Sequence, residues 1–181
     1  MSLTPAVVVL ASGRGERFIA SGGTGSKLQA LLGGKAVLQR TLDAVRDSGL
    51  PWHLEDGGHE GMGDSIAAGV RATRDAGGWL ILPGDLPLVR PESLRRVAIA
   101  LAGNSVVLPV YQGKQGHPVG FGADCRDALL MLSGPQGAAL VARARKMVNR
   151  ALELELDDPG IVTDIDTVHD LARAEQLLAQ R

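Results

Sequence analysis

The sequence predicts a three-layer α/β domain built on a mostly parallel sheet, and two observations carry that expectation. Short apolar runs of strand length alternate with stretches whose apolar residues recur at helical spacing, the pattern of strands covered by helices on both faces. The chain also holds 24 glycines in 181 residues, above the usual ~7%, and glycines gathered at strand ends suit loops that approach a ligand closely. The length fits one domain, residues 1–181. Its core must be aliphatic, because there are only two Phe, two Trp and one Tyr, and a bound nucleobase would then be read mainly by backbone and small polar groups.

Ala6 to Ala11 is a β-branched run that reads as a strand buried on both faces, and Ser12 to Ser26 follows as a Gly/Ser-rich loop. Val37, Leu38, Thr41, Leu42 and Val45 share one helical face, with Gly49 at the C-cap position. A short strand is expected around Trp52 to Leu54. Met62, Ile66, Val70 and Thr73 mark a second helix. Trp79 to Leu82 is a second buried strand, ended by Pro83-Gly84-Asp85-Leu86-Pro87.

A helix opens at Pro91, a favoured first-turn position, and closes near Gly103. Val106 to Leu108 reads as a strand, and Gly113 to Gly116 as a hairpin tip leading into His117 to Phe121. Helices are expected over Asp124–Leu132 and Gln136–Arg145. Leu152, Leu154 and Leu156 alternate with glutamates, a strand with one wet face, and Thr167 to Asp170 has the form of a capping box opening the last helix.

Several classes are excluded. The 19 Lys+Arg balance 20 Asp+Glu to a net charge of −1, which argues against a nucleic-acid or anionic-membrane footprint. No apolar run approaches the ~20 residues of a membrane span, and no basic segment precedes the first strand as in a secretory signal. The one cysteine, Cys125, allows neither an intrachain disulfide nor a Cys-rich metal site. A cytoplasmic protein is expected.

The loop after the first strand, Leu10-Ala11-Ser12-Gly13-Arg14-Gly15, runs on to Arg17, Phe18 and later Lys27. Phe18 stands where a dinucleotide fingerprint requires Gly or Ala. Neither Gly25-Ser26-Lys27-Leu28 nor Gly34-Lys35-Ala36 completes a P-loop. Bare amides with Arg17 and Lys27 suit a polyphosphate; a mobile surface loop with solvated charges is the other reading.

Asp85 follows a buried strand, where ligands of parallel sheets bind. It is either a ligand for Mg²⁺ shared with substrate phosphates or a turn residue capping its own backbone. Asp166 is likewise a second Mg²⁺ ligand or a residue favouring the last helix's N-terminus. His53, Glu55, Asp56, His59 and Glu60 have no helical spacing to support a metal cluster and read as a solvated loop.

The string LASGRGERF followed by Lys27, then GMGDSIAAG, GDLP, GHPVGF and DIDT in that order, resembles the MobA-like NTP transferase family, in particular its molybdenum cofactor cytidylyltransferase branch. The resemblance covers roughly Val7 to Leu178. It implies a Rossmann-like αβα nucleotidyltransferase domain that moves a nucleotidyl group from an NTP and releases pyrophosphate, with Mg²⁺ as cofactor.

By motif matching, Leu10, Ala11, Ser12, Gly13, Arg14 and Gly15 would wrap the triphosphate, with Arg17 and Lys27 on phosphate oxygens. Ser65 would lie by the base and ribose. Asp85 and Asp166 would hold the metal, with Arg17, Lys27 and Asp85 as the catalytic set. His117, Pro118 and Gly137 would face the acceptor. The implied partners are CTP or another NTP, a phosphorylated pterin-type acceptor, and a molybdoenzyme or its maturation chaperone.

The chain departs from the family pattern at Gly49–Glu60, where about one βα unit is missing, at Ile19–Ser26, which lengthen the loop before Lys27, and at Ser133–Gly137, where relatives often carry an acidic residue. Rival readings are a nucleotidyltransferase with another base or acceptor, such as a sugar phosphate or cobinamide phosphate, and a non-catalytic nucleotide- or cofactor-binding maturation partner of a molybdoenzyme.

Overall fold

The first apolar run becomes the hub of the molecule because it has neighbours on both sides and helices on both faces. In the computed structural model, which describes residues 3–181, β1 (Ala6–Leu10) is followed by α1 (Glu16–Ala20), a 3₁₀ turn at Lys27–Gln29 and a small ribbon of β2 (Leu31–Leu32) and β3 (Lys35–Ala36). Then come α2 (Val37–Ser48), β4 (Trp52–Glu55), α3 (Met62–Ala72), β5 (Gly78–Pro83) and α4 (Pro91–Ala100). The second half comprises β6 (Val106–Tyr111), β7 (Lys114–Gln115), β8 (Val119–Gly122), α5 (Arg126–Leu130), α6 (Ala139–Met147), β9 (Ala151–Glu155) and α7 (Val168–Ala179).

The main sheet has seven strands in the order β4-β1-β5-β8-β6-β7, with β9 also along β6. β1 is parallel to β4 and to β5, and β6 to β9; β8 runs antiparallel to both its neighbours. One strand, β4, lies outside β1 on its edge.

Alternation along β1 divides the core. Val7 and Val9 pack with Leu42, Val45, Leu94 and Val97 of α2 and α4, while Val8 faces Ile66, Val70, Phe121 and Leu129 on the other side. All three β1 valines are fully buried, each such burial being worth about 1.5–3 kcal/mol. A third cluster seats α7 on the ribbon, through Leu28, Leu32, Ile165 and Ala174. That seat fixes the segment carrying Asp166.

Most expected elements appear, with three differences. The loop after β1 contains α1, opened by Gly15 at φ 64° and anchored by buried Phe18; a single turn with one apolar anchor leaves no periodicity to read. β6 runs past Pro109 to Tyr111, and the hairpin turn is Gln112-Gly113, both with positive φ, the geometry that matches strand twist in a two-residue hairpin. The helix expected over Asp124–Leu132 contracts to α5 after a 3₁₀ turn, and α6 starts at Ala139, after Gly134 in the left-handed region. The capping box forms as read, between Thr167 and Asp170. Among the described residues, no helix is long and apolar enough to cross a membrane.

Candidate active site

Three parallel strands, β4, β1 and β5, end on the same side of the sheet, and the chain leaving them lines a cleft of about 510 Å³. Such ends are where open α/β sheets take ligands. The Ser12–Arg14 loop, the Gly61–Met62 entry to α3 and the Pro83–Leu86 turn form its floor and sides; the β6–β8 hairpin and the Val162–Asp166 segment close it. The β1 and β5 ends are joined by Gly84 N–H donating to Leu10 O at 2.8 Å. From α2, buried Thr41 donates to Gly84 O at 2.8 Å, so this hydroxyl positions the turn that carries Asp85; the sequence reading used Thr41 only as a core residue.

At the centre, Lys27 Nζ lies 2.7 Å from Asp85 Oδ2 and 2.9 Å from Asp166 Oδ1. The Lys27 side chain is only 13% exposed. Burial disfavours its charge, but the two carboxylates outweigh that and hold Lys27 above its ordinary 10.5. Asp166 also meets Arg17 at 3.0 Å, and Arg17 extends largely into solvent. Burial raises Asp166, yet Lys27 and Arg17 bring it below the usual carboxylate range.

The third carboxylate, Asp164, lines the cleft without having been singled out from the sequence; burial first, and then the charges of Asp166 and Asp85, hold its pKa above the usual range. Asp85 does not cap its own turn, since Oδ1 is buried without a partner. Asp166 does not serve the capping box, which uses Thr167 and Asp170; its side chain turns to the two cations instead.

These residues fit a divalent cation. Two carboxylates, one with a free buried oxygen, already converge on a positive centre, and Mg²⁺ or Mn²⁺ held by one or two carboxylates keeps its remaining positions for water and phosphate oxygens. Among the described residues there is no group of three or more His, Cys, Asp and Glu that could hold a metal ion by itself.

His117 enters from the hairpin. Its amide donates to Ile161 O at 2.9 Å, and Gly116 beside it has no room for a side chain: a Cβ would lie 2.3 Å from Ile161 O. Nδ1 of His117 is buried and unpartnered. Burial pushes its pKa below 6.5, against the opposing pull of the Asp85 charge and the Ile81 carbonyl.

Of the residues singled out from the sequence, Leu10, Ser12, Gly13, Arg14, Arg17, Lys27, Ser65, Asp85, His117 and Asp166 line the cleft. Ala11, Gly15, Pro118 and Gly137 do not. Ala11 N–H is spent on Glu55 O at 2.9 Å, Gly15 serves as the left-handed residue before α1, Pro118 is buried, and Gly137 packs against Met62 and Ile66. The segment expected to be a solvated loop is instead organised by a buried carboxylate, Glu55, bracketed by His53 and His59.

Fold and site together place the chain in the class of α/β nucleotidyltransferase domains. It matches the MobA-like NTP transferase domain over residues 42–153 and belongs to that family. The matched span includes Ser65, Asp85 and His117, while the glycine loop and Asp166 lie outside it. No curated protein sequence matches the chain.

Solved structures share the fold. A nucleotidyl transferase from Methanothermobacter thermautotrophicus superimposes with a TM-score of 0.82 at 22% identity, covering 98% of each chain. The Mycobacterium tuberculosis H37Rv protein Rv0371c in complex with manganese gives 0.71 at 22%, over 97% of this chain and 100% of that one. Molybdopterin-guanine dinucleotide biosynthesis protein A from Archaeoglobus fulgidus gives 0.61 at 19%, over 97% and 100%.

Proposed function

We propose that this protein is a Mg²⁺-dependent cytidylyltransferase that transfers CMP from CTP to the terminal phosphate of a molybdopterin-type cofactor and releases pyrophosphate. The observation that carries the reading is the convergence of Asp85 and Asp166, 58 and 139 positions from Lys27 respectively, on that one ammonium at the strand ends. Its motif support is the resemblance of the GMGDS and GHPVGF strings to the cytidylyltransferase branch.

The chemistry asks little of a general base. A phosphate monoester acceptor is an anion at neutral pH; one of its oxygens attacks the α-phosphorus of CTP, the bond from that phosphorus to the α,β-bridging oxygen breaks, and pyrophosphate leaves with the electron pair. The task is to align two polyanions and offset charge developing on the α-phosphate. A divalent cation held by Asp85 and Asp166 would supply that charge and orient the phosphates.

The remaining work falls to the chain. The Ser12–Arg14 loop offers its amides to phosphate oxygens, and Arg17 follows them from solvent. Lys27 transfers its contacts from the carboxylates to the phosphates. Burial keeps His117 neutral, able to orient an acceptor without adding charge, and Lys114 on the same hairpin lines the cleft beside it.

Thermal shift with CTP, GTP, ATP and UTP, each with and without Mg²⁺, tests the base. A ligand at 100 times its Kd stabilises by ~2.7 kcal/mol, so CTP with Mg²⁺ should give the largest shift, and a clear preference for GTP rejects the cytidine assignment. Because Pro118 and Gly137 lie outside the cleft lining, another phosphorylated acceptor is the second reading. Pyrophosphate release measured with molybdopterin against sugar phosphates separates the two.

A further inference from the structure

The chain leaving β4 folds back on the strand's last side chain. Glu55 is 8% exposed, and its partners are two histidines and an amide. Oε2 is 3.1 Å from His53 Nε2, and Oε1 is 3.0 Å from His59 Nε2 and 3.1 Å from Gly57 N. Burial raises the Glu55 carboxyl, but these three donors outweigh it and keep the pKa below the usual range. An ionised carboxylate only accepts hydrogen bonds, so both histidines must carry a proton on Nε2. With its Nε2–H committed to Glu55, the His59 imidazole has Nδ1 as its acceptor nitrogen.

The ring's direction is also fixed. Its Nε2–Cδ2 edge lies over Gly57, where a Cβ would come within 2.9 and 3.4 Å of those atoms. Nδ1 lies across the ring from that edge, and His59 is part of the cleft lining. The same Glu55 holds the glycine loop through its carbonyl, which accepts from Ala11 N at 2.9 Å. Strand order then sets the lateral position: β4 and β5 flank β1, so the β4 end stands about 10 Å, two strand spacings, from the strand that delivers Asp85. A span of that order separates a nucleotide's α-phosphate from the exocyclic edge of a pyrimidine base.

We infer that His59, its tautomer set by Glu55, accepts a hydrogen bond from the exocyclic amino group of the substrate base and thereby selects an amino-bearing pyrimidine over a keto one. Glu55 is the positioning residue. The inference deepens the reading of the cleft as a CTP site and rests on it. UTP would set a carbonyl oxygen against Nδ1, two acceptors without a proton between them, and sites built around such a bond reject analogues lacking the donor strongly.

The test compares binding of three magnesium triphosphates: CTP, UTP, and the pyrimidinone analogue of CTP that lacks the 4-amino group. Wild type should bind CTP at least tenfold more tightly than either. In His59→Phe, which keeps a ring and removes the acceptor, CTP and the amino-less analogue should bind equally. In Glu55→Gln the CTP preference should shrink, and ¹⁵N NMR should show His59 losing its single Nε2–H tautomer, a signature that a purely structural role would not move.

Equal binding of CTP and the amino-less analogue by wild type overturns the inference, and needs no variant to fold. An unchanged preference in His59→Phe also overturns it, while leaving the CTP reading intact. Failure of wild type to bind any of the three triphosphates overturns both.

Discussion

Lys27 Nζ lies 2.7 Å from Oδ2 of Asp85, a residue 58 positions further along the chain. With Asp166 at 2.9 Å on its other side, the ammonium stands between the two carboxylates proposed to hold the metal, so cation entry and lysine departure become one exchange. Lys27→Met should therefore bind Mn²⁺ in the absence of nucleotide about tenfold more tightly, ~1.4 kcal/mol, while pyrophosphate release slows. Calorimetric titration of Mn²⁺ checks this, and an affinity equal to wild type argues against the exchange.

Asp85→Asn and Asp166→Asn keep the shape of each side chain and remove the charge. Each should lower the rate of pyrophosphate release about 10²–10³-fold, the scale of losing one electrostatic stabiliser of the transition state. The far-UV spectrum should be retained, since neither residue belongs to the apolar clusters. Undiminished turnover in either variant counts against its metal role.

Gly116→Ala places a Cβ 2.3 Å from the Ile161 carbonyl oxygen, and backbone atoms give way less easily than a side-chain tip. Overpacking of this kind costs about 1–3 kcal/mol. Because the amide of His117 is tied to the same carbonyl, the KM for the acceptor should rise while CTP affinity changes little. Urea denaturation and steady-state kinetics read the two effects separately.

His117 supplies a pH signature. Its pKa in the folded protein lies below 6.5, so as pH falls through 6.5 the unfolded chain takes up the proton first and the native state loses stability; above 6.5 both states are neutral and the contribution is flat. Each unit of depression corresponds to about 1.4 kcal/mol. Urea midpoints at pH 7.5 and 5.5 should differ more in wild type than in His117→Asn, and equal slopes in the two proteins would remove His117 as the source.

The strands and long helices were legible because burial writes a period into the sequence. Ala6–Leu10 and Gly78–Pro83 are apolar throughout since helices cover both faces, and Val37–Ser48 shows its stripe and its terminal Gly49. The five-residue α1 left no such trace, nor did the extension of β6 through Pro109. Asp85 and Asp166 were visible as acidic residues next to a strand end and a helix start, but the same letters equally describe a turn cap and a helix-dipole residue.

What composition and order alone determined is the layered α/β fold, the aliphatic core and the set of polar residues from which a site is drawn; these follow from local periodicity, which each segment carries within itself. Only the tertiary structure decided which members of that set meet. Lys27 joining Asp85 and Asp166, and Gly137 turned to Met62, are contacts between distant segments, set by strand order and by the seating of α7, and no local pattern in the chain encodes them.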